Sequence, residues 1–338
     1  MKKRILISLA SIIVIALVLG LLSALVVPKY TDNKEGALIS EYYAESEGHD
    51  VLFVGDCEVY ESFVPAILWE KYGISSYIRG SAQQLVWHSY YLLEETLKYE
   101  TPKAVVFNVM AMKYGEPQSE AYNRMTLDGM RWSESKVGAI RVAMTEEESF
   151  VEYVFPLLRF HSRITELTCD DLKYVFSAPK VSHSGYLMQT GVVPQTDFSA
   201  GREELDYDIS ENAWKYLDMM RELCEERGIE LILVKAPTNS WMYWWHDERE
   251  EQIRDYADEH SLAYYNFIPL AEEIGIDWSL DTYDAGAHLN VYGAEKLTVY
   301  FGEILASSHG LIDRRSDAVL SEMWTPRLEA YYKDRNSN

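Results

Sequence analysis

Short apolar runs broken by glycine and polar turns set the pattern of this chain. Residues 51–54 are Val-Leu-Phe-Val, a buried strand by composition, and Gly55 turns the chain into a helical pattern near Glu61. Residues 64–72 have helical spacing and stop at Gly73, 74–78 read as a second strand, and 83–99 as a helix closed by Pro102. Residues 104–107 are a third strand, with Asn108 at its end. This β-α-β-α-β rhythm predicts an α/β fold with a parallel sheet and right-handed crossovers.

The rhythm breaks between residues 110 and 207, which are expected to form an insertion or lid over the carboxyl ends of the strands. Within it, 133–144 and 146–167 have helical patterns, the second interrupted at Pro156, and 181–198 is a loop or hairpin rich in Gly, Pro, Ser and Thr. The rhythm then returns: helix 210–227 ending at Gly228, strand 229–234, helix 248–260, strand 262–266, loop 280–290 and helix 293–305. Residues 311–338 are expected to be a surface tail, which leaves 31–310 as the folded domain.

The apolar run from 5 to 27, preceded by Lys2-Lys3-Arg4, stands outside this rhythm. Its length suits one membrane-spanning helix, and the basic cluster predicts a cytoplasmic start with the rest exported. We read 1–30 as an uncleaved signal-anchor; a cleaved signal peptide is the competing reading. The 54 acidic residues against 31 basic ones give a formal charge of −23, which argues against nucleic acid as a partner. Three cysteines, Cys57, Cys169 and Cys224, show no metal-ligand spacing. In an exported chain an odd count suggests one free thiol; Cys169 with Cys224 is one pairing that would leave Cys57, and three reduced cysteines are the alternative.

Candidate chemistry sits at strand ends. Asp56 and Cys57 follow the first strand, where open α/β sheets bind ligands, and a helix start favours thiolate. The alternative is a buried structural cysteine. His288 in the late loop lies beside Asp281 and Asp284, a candidate general base with an orienting carboxylate. His88, His161 and His183 read as structural. Arg124 and Arg131 in the insertion and Lys235 at the end of the fourth strand are candidate substrate-binding residues, as is Asp56. Trp241, Tyr243, Trp244 and Trp245 suit either a carbohydrate face or core packing.

Taken together, Gly55-Asp56-Cys57, Gly80, Asn108 and Asp284…His288 resemble the ordered motif blocks of the SGNH/GDSL hydrolase family over about residues 50–305. The resemblance implies a three-layer α/β/α sandwich with a flavodoxin-like sheet. It implies catalysis by Cys57, His288 and Asp284, with an oxyanion hole from the Gly80 N–H and the Asn108 amide, and no cofactor. Within the family, the anchor and the His-Leu-Asn-x-x-Gly ending look most like extracellular acyl-transfer proteins of bacterial envelopes. Such proteins act in teichoic acid D-alanylation or beside membrane-bound O-acyltransferases in polysaccharide acylation. The implied partners are therefore an envelope glycan or teichoic acid, a membrane-bound O-acyltransferase and the membrane itself. The chain departs from the family in two ways. Cysteine replaces the nucleophilic serine, and the usual Asp-x-x-His spacing would place the acid at Ala285, so a bulge over 285–287 is needed to bring Asp284 into register. A non-catalytic glycan-binding or acyltransferase-partner protein is the alternative function.

Overall fold

The computed structural model describes residues 2–28, 34–45 and 48–337. The polar, acidic stretch from Tyr30 to Asp50 is expected from its composition to be a stalk leading to a first helix; part of it lies outside the described residues, and in the rest Ala37, Leu38, Ile39 and Tyr42 are buried in the core. Five parallel strands form one sheet in the order β2-β1-β3-β4-β5: β1 (Val51–Gly55), β2 (Ser76–Gly80), β3 (Ala104–Asn108), β4 (Glu230–Lys235) and β5 (Ala263–Asn266). The register pairs Gly55 with Gly80 and Asn108 with Val234, so these strand ends lie level at one edge of the sheet.

Alternation along the strands divides the core in two. Leu52, Val54, Val105, Phe107, Leu231 and Leu233 join one cluster, which takes in residues of helices Val86–Thr96, Glu134–Ala143 and Glu211–Arg227. Val51, Phe53, Ala104, Val106, Ile232 and Val234 join the other, with helices Pro65–Tyr72 and Val291–Ser308. Period-two side chains feeding two faces explain why the strands read as continuous apolar runs. Each such fully buried Leu, Val, Ile or Phe contributes roughly 1.5–3 kcal/mol of transfer free energy.

The expected breaks have local causes. Helix Pro65–Tyr72 begins on proline, whose fixed φ suits a first turn, and ends at Gly73 with φ 65°. Pro156 separates Phe150–Val154 from Pro156–Phe160. Residues 181–198 are mainly loop, with a tight turn closed between His183 and Tyr186. Helix Lys2–Val26 is long and apolar enough to cross a membrane.

One expectation is corrected, and one alternative left open by the sequence is decided. The segment after residue 310 is no surface tail: helix Ala318–Ser337 buries Trp324 and Tyr331 completely, and Trp324 stacks on Trp69 with ring centroids 5.6 Å apart. Cys169 and Cys224 do not pair; both are free, one exposed and the other buried in the first core.

Candidate functional site

Cys57 is the first residue of helix Cys57–Ser62, and Asp56 caps that helix by accepting from the Glu58 N–H at 3.2 Å. The cap fixes the turn after β1 and leaves the Cys57 side chain half-buried on a cavity of about 220 Å³. Gly80 stands against the same turn. A Cβ there would lie 3.1 Å from the Gly55 carbonyl oxygen and 3.2 Å from the Tyr60 ring, so glycine lets β2 end this close to β1. Gly80 itself does not line the cavity; Ala82 and Gln83 just beyond it do.

The late loop brings its base to the thiol. His288 Nε2 lies 3.0 Å from Cys57 Sγ, and His288 Nδ1 lies 2.6 Å from Asp284 Oδ2. The His288 backbone N–H donates to the other oxygen of Asp284 at 2.8 Å, so one carboxylate holds both the main chain and the ring. Ala285 and Gly286 adopt left-handed backbone, φ 59° and 90°, and supply the bulge that lets an acid four residues before the histidine reach it. Ala285 in this conformation is strained relative to glycine. Asp281 plays a different part: it accepts from the Asp277 N–H at 2.7 Å and the Lys296 ammonium at 2.5 Å, bracing the loop away from the imidazole.

Glu61, unforeseen from the sequence, is the second acid at the base. It sits one helical turn beyond Cys57, and its Oε2 is 3.7 Å from His288 Nδ1. Tyr283 donates its hydroxyl to Glu61 Oε1 at 2.9 Å, and burial and the adjoining carboxylate raise the Tyr283 phenol strongly. Tyr60, Tyr114, Tyr122, Tyr243 and Tyr283 all line the cavity, and the Tyr243 ring meets His288 at 4.9 Å. Of the aromatic cluster, Trp245 is buried with its indole N–H on Glu250, while Trp241 and Trp244 are partly exposed.

Behind the thiol lies a buried polar network. The Asn108 amide donates to Asp56 Oδ1 at 3.1 Å and to Glu58 Oε2 at 3.0 Å, while its carbonyl accepts from the Ala236 N–H at 3.2 Å. Lys235, wholly buried, donates to both Glu58 oxygens at 2.8 Å and to the Ala236 carbonyl at 2.9 Å. Lys235 therefore neutralises Glu58 beneath the site and does not face the cavity.

The two insertion arginines are likewise committed elsewhere. Arg124 pairs with Glu120 and Asp128 and stacks over Tyr153 at 4.2 Å; Arg131 stacks over Tyr43 at 4.3 Å. Of the histidines read as structural, His88 is buried with Nδ1 accepting from the Leu85 N–H, and burial lowers its pKa to about 3. His183 lies 3.3 Å from Asp334, and His161 Nδ1 lies 3.1 Å from the Leu158 carbonyl.

Electrostatics correct the expectation of a low thiol pKa. Burial pushes Cys57 up to about 11, more than His288 pulls it down, and Asp56 and Glu61 push it further. Burial opposes charge on His288, but the neighbouring Cys57 sulfur and the Asp284 hydrogen bond override it and raise the imidazole well above its ordinary value. Asp56 is raised to about 6, by burial first and by Glu58 next. Each group's shift depends on the charge of the other, so the thiol and the imidazole titrate as one pair.

Among the described residues no cluster of His, Cys, Asp and Glu is arranged to hold a metal ion. The arrangement suits covalent acyl transfer: a nucleophile, a base in hydrogen-bond reach, and a carboxylate that orients the base. No family model and no curated protein matches the chain.

Proposed function

We propose that the protein is a membrane-anchored, extracytoplasmic acyl esterase or O-acyltransferase of SGNH type, acting on a cell-envelope polysaccharide or teichoic acid. One observation carries this reading: the continuous chain Cys57–His288–Asp284, with steps of 3.0 and 2.6 Å. Its placement is consistent with a flavodoxin-type three-layer sandwich, in which strand order 2-1-3-4-5 puts the ligand at the β1/β3 switch point.

In the proposed reaction, His288 Nε2 in its unprotonated form takes the Cys57 thiol proton as Sγ attacks the ester carbonyl. The tetrahedral intermediate then collapses. The leaving alcohol takes the proton from Nε2, and a thioester remains on Cys57. Water or a sugar hydroxyl attacks that thioester, giving its proton to Nε2 and its oxygen to the acyl group, and the thiol regains a proton. In the first turn of helix Cys57–Ser62 the Glu58 N–H donates to Asp56 Oδ1 and the Val59 N–H to the Asp56 carbonyl, so the donor proposed for the forming oxyanion is the Cys57 N–H. Asn108 joins it only by giving up a bond to Asp56 or Glu58. The tyrosines around the thiol offer ring faces and hydroxyls for a sugar.

Incubation with p-nitrophenyl acetate tests the reading. A thioester on Cys57 by mass spectrometry, absent in Cys57→Ala, supports it. An unmodified Cys57 across pH 7–10 overturns it. The commitment of the Asn108 amide to two carboxylates favours a second reading, a non-catalytic glycan-binding or acyltransferase-partner protein. That reading takes over if no acylation occurs.

A further inference from the structure

Residues 150–176 form three short helices and a turn, and their apolar side chains face outward. Phe155 is 56% exposed, Leu158 55% and Phe176 76%, with Val151, Ile164 and Leu172 also exposed. A stretch this apolar is out of place on a chain of net charge −23. Its location accounts for it. Helices Pro156–Phe160 and Cys169–Phe176 pack against helix Lys2–Val26. Arg163 donates to the Val26 carbonyl at 2.7 Å, at the end of that helix, and its other nitrogen pairs with Asp171 at 3.2 Å. The last-turn carbonyl of an apolar helix has no partner within the helix, and Arg163 satisfies it.

We propose that residues 150–176 form a collar that lies in the interfacial layer of the lipid bilayer, around the point where helix Lys2–Val26 leaves it. The occupant is lipid because the exposed apolar surface of the collar is continuous with a helix whose most apolar stretch is not buried by protein, burial beginning only at its last turn, where Val26 is covered. Short helices carrying Phe and Leu outward have the composition of interfacial segments, and the aromatic rings suit the headgroup boundary. The inference rests on that helix standing in a membrane and is independent of the acyl chemistry.

The collar also sets the position of the cavity. Arg159 in the collar pairs with Glu120 at 2.8 Å, and Arg124 stacks over Phe160 at 4.8 Å. Between these two anchors, on the same helix Glu120–Leu127, Tyr122 lines the cavity at Cys57. Seating the collar in lipid therefore fixes the height of the cavity above the bilayer.

The test uses the full chain in phosphatidylcholine/phosphatidylglycerol vesicles, with Cys57 and Cys169 replaced by serine and an environment-sensitive fluorophore placed on one new cysteine. Phe155→Cys, Leu158→Cys and Phe176→Cys report on the collar; Ile312→Cys and Val319→Cys, at exposed positions away from it, are controls. Nitroxide-bearing lipids should quench the collar positions at least twofold more than the controls. Equal quenching at all five positions overturns the proposal. Shielding that grows with protein density and ignores the nitroxide also overturns it, and assigns the surface to a second copy of the chain. All five positions are exposed, so labelling leaves the core intact, and circular dichroism checks this.

Discussion

Glu61 Oε2 lies 3.7 Å from His288 Nδ1, the nitrogen that Asp284 holds at 2.6 Å. Two carboxylates thus share the Nδ1 edge of the imidazole, while Cys57 takes the Nε2 edge. Asp284 has the hydrogen-bonding geometry and Glu61 supplies charge from inside the protein. The expected consequences differ. Asp284→Asn should lower acylation of Cys57 by about 100-fold or more, because the ring loses its orienting partner. Glu61→Gln removes negative charge that stabilises the imidazolium, so the pH at which acylation rises should shift downward. A pH–rate profile of thioester formation separates the two. An unshifted profile for Glu61→Gln would show that Glu61 only packs.

Cys57 alkylation should rise steeply on the alkaline side. The thiol is pushed up to about 11 and His288 is also raised, so the reactive form appears as protons leave. At pH 7 the exposed Cys169 should react with iodoacetamide faster than Cys57, the reverse of what a helix start alone predicts. His288→Ala removes a cation beside the sulfur and should move the Cys57 inflection still higher. Peptide-resolved mass spectrometry across pH 6–11 reads both effects. Rapid alkylation of Cys57 at pH 6 would contradict this account.

Asp56 should be a cost at neutral pH. Its folded pKa of about 6 exceeds the unfolded value of 3.8, so its contribution favours folding below the unfolded value and is lost as pH rises through 6. Asp56→Asn keeps an oxygen for the helix cap and removes the buried charge. It should stabilise the fold by about 1–3 kcal/mol at pH 8 and change it little at pH 4. Denaturant titrations at the two pH values check the sign.

Lys235→Met should destabilise by about 3–5 kcal/mol, because Glu58 is left as an unpaired buried charge. The double variant Lys235→Met/Glu58→Leu should recover most of this loss. Urea melts of the single and double variants measure the coupling, and additive losses would refute the pairing argument.

Strands β1, β3 and β4 were legible because strands buried on both faces read as unbroken apolar runs, whereas β2, with Ser76 and Arg79 in it, and the half-buried β5 were read from their place in the rhythm; each strand ends on a glycine or polar residue that marks the turn. Cys57 and His288 stood out because they sit at such ends. The rest depended on partners distant in sequence. Asn108 looked like a free amide donor, and nothing local signals that Glu58 and Lys235 meet behind it. Glu61 lay at the start of the helical pattern after the Gly55 turn; its one visible signal is the i,i+4 spacing from Cys57, which puts both on one helix face. Helix Ala318–Ser337 was hidden by its polar composition and by Pro326, although Leu320, Trp324 and Tyr331 recur at intervals that share a face.

That last helix has a mechanical consequence. The Trp324 indole N–H donates to Ser75 Oγ at 3.1 Å, Ser75 Oγ donates to the Gly48 carbonyl at 2.6 Å, and Arg314 pairs with Asp50 at 3.2 Å. The strand of chain entering β1 is thereby clamped to the segment that closes the fold. Because β1 runs directly into the turn that carries Cys57, release of helix Ala318–Ser337 would loosen the near end of the strand whose far end positions the thiol.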